Sequence, residues 1–219
     1  MLIPMWAQHK VKSNYEKYAQ VRSTSGKTGR EVAEEILHAN GIYDVDVVKG
    51  EGFLTDHYDP KKKVVCLSPA NFDRPSVAGT AIAAHEVGHA IQHQQGYAFL
   101  RFRSALVPLA NLGSSLSYMI IMLGIILTAM GSAFGSTALW IGAGLMSLAV
   151  LFSIVTLPVE FDASSRAMKQ ITALNIVNEK EYKHAKKVLS AAAMTYVAAT
   201  ATAVAELVRI ILIARASDN

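Results

Sequence analysis

The longest uncharged stretch of this chain constrains its fold more than any other feature. The 56 positions from 104 to 159 contain no Asp, Glu, Lys, Arg or His. Of the 21 Lys and Arg, 13 precede this stretch, as do 11 of the 17 Asp and Glu. Charge is therefore segregated along the chain, which predicts a soluble N-terminal half followed by a largely membrane-embedded half.

The uncharged stretch is long enough for two membrane spans, because a hydrocarbon core of about 30 Å needs roughly 20 apolar helical residues. We predict spans over 106–130 and 138–157, joined into a helical hairpin by the turn GSAFGST. A third, less hydrophobic segment at 188–214 is predicted to span as well. Its Glu206 and Arg209 are predicted to form an interfacial i,i+3 ion pair.

These segments predict four regions along the chain. We expect a soluble domain at 1–103, a transmembrane hairpin at 104–157, a cytoplasmic helical connector at 158–187, and a third transmembrane helix with its tail at 188–219. Ala- and Gly-rich spans such as IGAGLMSLAV permit close helix packing, either within the chain or with an oligomer or membrane-protein partner.

Basic residues predict the orientation of these regions. The hairpin turn carries no Lys or Arg, whereas the segments at the other ends of the spans are basic. By the positive-inside rule, the basic side faces the cytoplasm. We expect a multi-pass protein of the inner (plasma) membrane, with the soluble half in the cytoplasm and the tail ARASDN outside.

Composition also excludes some classes of protein. The single Cys66 rules out an internal disulfide. The isoelectric point near 9.1 is explained by membrane-flanking Lys and Arg, so we expect a lipid bilayer and no nucleic acid among the partners.

The soluble half is predicted to be α+β and mostly α. Thr28 and Glu31 form a capping box that begins a helix, which ends near Asn40. The segments VDVVKG and KVVCLS are typical of short strands, the second preceded by the turn YDPKK. Ser76 is a plausible N-cap of the next helix, for which Gly96 is a natural end.

That second helix carries the sequence H-E-x-x-H at His85, Glu86 and His89. Residues i and i+4 share one helix face, so both imidazoles can reach one Zn²⁺. Glu86, adjacent to the first ligand, is placed to act as a general base. His93 lies on the same face but two turns from His85, so we expect it to support the site or lie at the surface.

A catalytic zinc of this kind requires a third protein ligand. Between His93 and Glu160 the chain has no Asp, Glu, His or Cys. Glu160 follows the second predicted span on the side that carries the histidines, so the hairpin is predicted to return it to the metal. Several other ligands remain possible: Asp162, which is also placed to pair with Arg166, and the upstream His57, Asp56, Asp59 and Cys66.

The chain resembles the YugP-like family of bacterial membrane-bound neutral zinc metallopeptidases. The resemblance rests on WAQHKVKS, LTDHYDP, IAAHEVGHAIQH, LRFRSALVPLANLGS, LPVEFDASSRA and AAAMTYVAA, in that order. It implies a small zincin-like metallopeptidase domain that binds one zinc through His85, His89 and Glu160, with Glu86 as general base. Membrane proteases of the HtpX type and the CAAX-processing proteases are similar, because they also place two spans between the H-E-x-x-H sequence and a glutamate ligand.

Two departures from the resemblance affect these expectations. Members of the family usually begin with a full apolar helix, of which MLIPMWA resembles only the end. A trimmed start would explain this difference and would add one span. The HtpX-like pattern has an Asp four residues after the glutamate ligand, where this chain has Ser164. Ser164 is therefore expected to accept a hydrogen bond from the histidine N–H, but a weaker one than an Asp would accept.

The predicted activity is zinc-dependent endopeptidase hydrolysis of membrane-associated or misfolded proteins near the cytoplasmic membrane surface. We expect the peptide to lie along an exposed edge strand, for which KVVCLS is the candidate. The candidate oxyanion or substrate-binding residues are His57, Tyr58, Arg166 and Tyr196. The alternative function is a non-proteolytic membrane scaffold or adaptor with a structural zinc.

Overall fold

The computed structural model of the chain describes residues 2–218. Within that range the fold is mostly helical, with one small sheet. The elements in chain order are α1 Leu2–Ala19, α2 Gly29–Ala39, β1 Asp46–Lys49, β2 His57–Asp59, β3 Val64–Leu67, α3 Pro69–Asp73, α4 Val77–Gln94, α5 Ala98–Ala129, α6 Phe134–Ala173 and α7 Glu179–Ser217.

The ends of α2 and α4 follow from their capping residues, as predicted. Thr28 accepts from the backbone N–H of Glu31, whose side chain accepts in turn from the backbone of Thr28. Ser76 caps α4 by accepting from the backbone N–H of Gly79. Just beyond α4, Gly96 takes a positive φ of 63°, a conformation that favours glycine after a helix end.

Helix α4 lies at the centre of the larger hydrophobic core. Its Val87 and Ile91 are buried in a cluster that joins α2, the sheet, α6 and α7. Because Ile171 of α6 and Leu189 of α7 belong to the same cluster, the two long helices pack directly against the helix that carries the histidines. The core around α4 and the apolar helices α6 and α7 are therefore one continuous structure.

The sheet order is β1-β3-β2, which corrects one prediction. β3 pairs in parallel with β1 and antiparallel with β2, so KVVCLS forms the central strand and not an exposed edge. The edge beyond β3 is β2, a strand of three residues, of which Tyr58 and Asp59 belong to the segment YDPKK that was predicted to be a turn. The physical reason for the error is that strand order depends on tertiary pairing, which local β propensity does not specify.

Within residues 2–218, three helices are long and apolar enough to cross a membrane: α5, α6 and α7. Each exposes large apolar side chains along its length, including Leu112, Met119, Ile141 and Leu212. Such exposure is unusual for helices in water and is expected for helices in lipid. The helices α5 and α6 pack as the predicted hairpin, and α7 packs against α6.

The helix α6 is longer than a membrane span requires. At 1.5 Å per residue its 40 residues extend about 60 Å, twice the thickness of a hydrocarbon core. It continues without a break through Pro158 to Ala173. Glu160 lies about 39 Å along the axis from Phe134, farther than the roughly 30 Å thickness of a hydrocarbon core.

The helix α7 connects the two ends of the molecule. Asn178 and Glu181 form a capping box at its start, and the buried Glu181 carboxylate also accepts from the backbone N–H and the hydroxyl of Thr24, both at 2.7 Å. At its far end, Asp218 accepts from Trp140 Nε1 at 3.0 Å, next to the hairpin turn. The hairpin turn and the end of α7 therefore lie together, far from α4. The predicted pair between Glu206 and Arg209 is present.

Candidate metal centre

The two histidines of α4 and a glutamate of α6 meet at one point. His85 and His89 direct Nε2 toward Glu160 Oε2, at 3.3 and 3.7 Å respectively. One possible ligand atom from each of the three residues lies within 4.8 Å of the other two. Among the described residues, this is the only group of three or more His, Cys, Asp or Glu residues close enough to share a metal ion.

The chemistry of this group fits a zinc ion. Glu160 is only 3% exposed, and its Oε2 accepts no hydrogen bond from the described residues. A buried carboxylate oxygen without a partner is energetically costly, so its approach to two imidazole nitrogens is explained if all three atoms bind a cation. Two imidazoles and one carboxylate are a ligand set that zinc uses when it keeps one position open.

The other nitrogen of each histidine is held by a neighbouring polar side chain. His85 Nδ1 lies 3.1 Å from Ser164 Oγ, and His89 Nδ1 lies 3.0 Å from Gln92 Oε1. In the tautomer that leaves Nε2 free to bind a metal, each Nδ1–H donates to its partner. Ser164 therefore lies where the sequence comparison placed a residue supporting a histidine.

Gln92 is a residue of the site that the sequence interpretation missed. It is fully buried, and its Nε2 donates to Asp162 Oδ2 and to the backbone carbonyl of Val159, each at 2.8 Å. Because its Oε1 accepts from His89, this one amide connects the histidine to the segment of α6 that carries Glu160. The predicted ion pair of Asp162 with Arg166 is present at 2.5 Å, so Asp162 reaches the site only through Gln92.

A cleft of about 270 Å³ opens beside the three candidate ligands. Glu86 lines it together with His85, His89 and Glu160. Burial raises the pKa of Glu86, although the positive charge of the adjacent histidines would lower it. Glu86 is therefore a buried carboxyl group with a raised pKa that lies beside the candidate ligand group.

Arg103 is the second residue of the site that the sequence interpretation missed, because it belongs to the basic segment that precedes the first predicted span. Its Nη1 lies 3.5 Å from Glu160 Oε1, the oxygen that faces away from the histidines. It reaches the cleft from the start of α5. The only sequence signal was its position immediately before the uncharged stretch, which does not distinguish a site residue from a flanking one.

The candidate substrate-binding residues divide into two groups. His57, Tyr58 and Tyr196 line the cleft. Burial, with the charges of Asp44 and Asp59, raises the pKa of Tyr58 to about 12, so its hydroxyl keeps its proton at neutral pH. Arg166 does not line the cleft; it donates to Asp162 and, at 2.6 Å, to Gln95 Oε1.

Two of the alternative ligands considered upstream, Asp56 and Asp59, accept hydrogen bonds from other groups. Asp56 lines the cleft, but its oxygens accept from Ser68 Oγ at 2.9 Å and from Asn71 Nδ2 at 3.0 Å. Asp59 accepts from two backbone N–H groups of the following turn. His93 Nδ1 lies 2.8 Å from the Tyr58 hydroxyl and is turned toward that residue rather than toward the ligand group.

The apolar helices and the His–His–Glu group together define a protein with candidate membrane spans and a candidate metal site. The chain belongs to the family described as "Putative neutral zinc metallopeptidase", which matches residues 1–215. It is 44% identical over 211 residues to the "Putative membrane protease YugP" of Bacillus subtilis (strain 168), covering 96% of this chain and 91% of that protein. No solved structure matches it significantly. Membership of this family implies zinc and indicates a hydrolase.

Proposed function

We propose that this chain is a zinc-dependent endopeptidase of the inner membrane, which cleaves membrane-associated or misfolded proteins near the cytoplasmic surface. The observation that carries this proposal is that His85, His89 and Glu160 converge beside an open cleft that Glu86 also lines. A zinc that only held α4 and α6 together would need neither the cleft nor a second buried acid, Glu86, beside Glu160. This is our reason for preferring an enzyme to a scaffold with a structural zinc.

The residues of the chain divide the work of peptide hydrolysis among them. His85, His89 and Glu160 would hold the zinc, while Ser164 and Gln92 fix the orientation of the two imidazole rings. Bound there, zinc would polarise a substrate carbonyl and lower the pKa of water. Glu86 would accept a proton from the attacking water and pass it to the leaving amine.

The exposed edge of β2 supports an extended substrate. β2 pairs on one side only, with β3, and its His57 and Tyr58 line the cleft. A peptide that added to this edge would place its backbone beside Glu86. Tyr58 and Tyr196 are the candidate donors to the developing oxyanion, because both have hydroxyl groups and line the cleft.

Membrane geometry supports substrates at the cytoplasmic surface. Glu160 lies past the roughly 30 Å of α6 that hydrocarbon would cover from Phe134, so the cleft would open at the membrane surface. The exposed apolar faces of α5, α6 and α7 support a location in the bilayer. The basic residues at the cleft end of these helices support a cytoplasmic orientation.

The Glu86→Gln variant tests the proposal, because it preserves size and removes the general base. We expect it to keep about one zinc per chain by elemental analysis and to lose cleavage by about 10²- to 10⁴-fold. Cleavage is measured without a known substrate by profiling new protein N-termini in membranes that contain either wild type or the variant. Glu51→Gln, a charge loss at an exposed position, is the matched control and should retain the wild-type profile.

Two results would count against an enzyme. If Glu86→Gln gave the same new N-termini as wild type, Glu86 would not be the base and those cuts would come from other proteases. If wild type added no N-termini over an empty membrane, while Glu86→Gln restored the phenotype of a deletion strain, the zinc would be structural. That pair of results would favour the scaffold.

A further inference from the structure

A second cavity, of about 160 Å³, adjoins the cleft at Glu86. Asp56, His85, Glu86 and Tyr196 line both cavities. Beyond these four residues the two diverge, because the cleft continues toward β2 and α5 whereas the second cavity continues toward α1 and α7. The second cavity, called the side pocket below, therefore lies next to the candidate base and to one candidate metal ligand.

Away from these shared residues, the lining of the side pocket is mainly apolar. It is formed by one residue of α1, one of the segment before β2, one of α4 and three of α7. These six are Val11, Leu54, Ile82, Val188, Leu189 and Ala192. Because four separate parts of the chain enclose it, the pocket is a product of the tertiary fold.

Two polar groups at the edge of the side pocket are engaged by other residues. The Tyr15 hydroxyl donates to Asn71 Oδ1 at 3.1 Å. The Asp56 carboxylate accepts from Ser68 Oγ and Asn71 Nδ2, at 2.9 and 3.0 Å. A water molecule held firmly in a cavity needs two to four polar partners, so the apolar part of this pocket is better filled by an apolar group.

The volume of the side pocket fits one large apolar side chain. An apolar cavity of about 150 Å³ in a protein core is able to bind benzene, and the side pocket has about 160 Å³. It can therefore receive the isobutyl group of a leucine or an aromatic ring. A methyl group would leave most of the apolar lining without contacts.

The backbone before β2 links the side pocket to the strand edge proposed for the substrate. Leu54 has a positive φ of 56°, which is uncommon for a residue other than glycine. Such strained conformations cluster at ligand sites, where the surrounding structure holds them. Leu54 precedes β2 by three residues, so one short segment supplies both a wall of the pocket and the free strand edge.

An extended peptide can direct only one of two adjacent side chains to the same side. Successive side chains of a strand point in opposite directions. A peptide paired with β2 would therefore place one of the two residues that flank the scissile bond toward the side pocket and the other away from it. The preference for an apolar residue is thus expected at one flanking position and not at both.

We propose that the side pocket selects substrates, by receiving a leucine-sized or aromatic side chain from one of the two residues that flank the scissile bond. This inference rests on the proposed peptidase function and names its substrate class. Large apolar side chains are mostly buried in folded soluble proteins. A peptidase that requires one beside the scissile bond acts on segments that are unfolded or that have left a membrane.

Hydroxamates that bind zinc test the pocket without requiring cleavage. Two pairs are titrated against the full-length, zinc-loaded protein in detergent. The members of a pair differ by an isobutyl or a methyl group, and the two pairs carry this group on opposite sides of the hydroxamate. In one pair we expect the isobutyl member to bind roughly 50-fold more tightly, because it buries three more carbons. The members of the other pair should bind about equally.

Variants of the pocket lining assign this preference to the side pocket. Ala192→Leu should fill the pocket and remove the preference for isobutyl. Ala201→Leu, at an exposed position on the same helix, is the matched control and should keep it. Ile82→Ala should enlarge the pocket and shift the preference from isobutyl to benzyl. Equal zinc content per chain in all variants shows that each is folded.

The new N-termini in membranes provide a second measurement. Wild type should cut beside a large apolar residue at one flanking position, and Ala192→Leu should lose this preference. Equal binding within both hydroxamate pairs would overturn the pocket, even if cleavage depends on Glu86 and the peptidase stands. An isobutyl preference that persists in Ala192→Leu would also overturn it. A preference that Ala192→Leu removes, in a protein that cleaves nothing, would support the pocket and reject the peptidase.

Discussion

Gly88 faces the backbone of Ala163 so closely that a Cβ on Gly88 would lie 2.6 Å from the Ala163 carbonyl oxygen. Gly88 lies on α4 between the two histidines, and Ala163 lies on α6 within one turn of Glu160. The distance between the ligands on the two helices therefore depends on the absence of a side chain at position 88. Backbone atoms on the facing helix cannot move aside as a flexible side chain would.

Gly88→Ala is therefore expected to separate α4 from α6 and to weaken the metal centre. We expect the free energy of unfolding to fall by about 1 to 3 kcal/mol, as for other overpacked cores, and the zinc Kd to rise at least tenfold. Gly144→Ala is the control, because a Cβ there meets nothing within 4 Å. Thermal unfolding and competitive zinc titration measure both effects. Equal behaviour of the two variants would contradict the prediction.

Gln92→Met tests the amide that connects His89 to α6. Met has a similar volume but cannot accept from His89 Nδ1 or donate to Asp162, so the imidazole loses its fixed orientation. We expect zinc affinity to fall by about 10- to 100-fold, measured by competition with a chromophoric chelator. Gln94→Met, at an exposed position on the same helix, should bind zinc as wild type does. Wild-type affinity in Gln92→Met would refute this role.

The parts of the fold that the sequence predicted have local or compositional causes. Thr28 and Ser76 cap helices through bonds that reach only three residues, and an uncharged stretch has few alternatives to membrane helices. The proximity of Glu160 to the histidines was inferred by elimination, because few possible ligands follow the hairpin. In each case a few residues, or the absence of charged ones, limited the possible structures.

The parts that were missed depend on tertiary contacts. In the sequence, Gln92 does not differ from other polar residues on a helix, because its burial and its hydrogen bonds depend on the packing of α6 against α4. β2 has only three residues, too few for an alternating pattern, and its place at the edge depends on pairing with β3. Arg103 is a basic residue directly before the uncharged stretch, which is expected both for a residue that flanks a membrane span and for a site residue. Only its proximity to Glu160 in the folded chain distinguishes the two.

Removal of the metal is expected to destabilise the wild-type protein, because its ligands lie on two different helices. A ligand present at 100 times its Kd contributes about 2.7 kcal/mol to the folded state. Thermal unfolding in detergent should therefore occur at a lower temperature after treatment with a chelator. Glu160→Ala should show no further decrease, whereas Glu179→Ala, at an exposed position, should respond as wild type does. A chelator response in Glu160→Ala equal to that of wild type would exclude Glu160 as a ligand.

The orientation of the hairpin can be tested with single cysteines, since Cys66 is the only native one. In a Cys66→Ala background, Ala133→Cys labels the hairpin turn and Lys61→Cys labels the loop beside the cleft, both at exposed positions. Because the basic end of the helices is expected in the cytoplasm, a membrane-impermeant maleimide should modify only Ala133→Cys in intact spheroplasts. Lys61→Cys should react once the membrane is permeabilised, which shows that its thiol is accessible. The reverse pattern would place the cleft outside the cell, where the candidate metal centre would meet exported rather than cytoplasmic proteins.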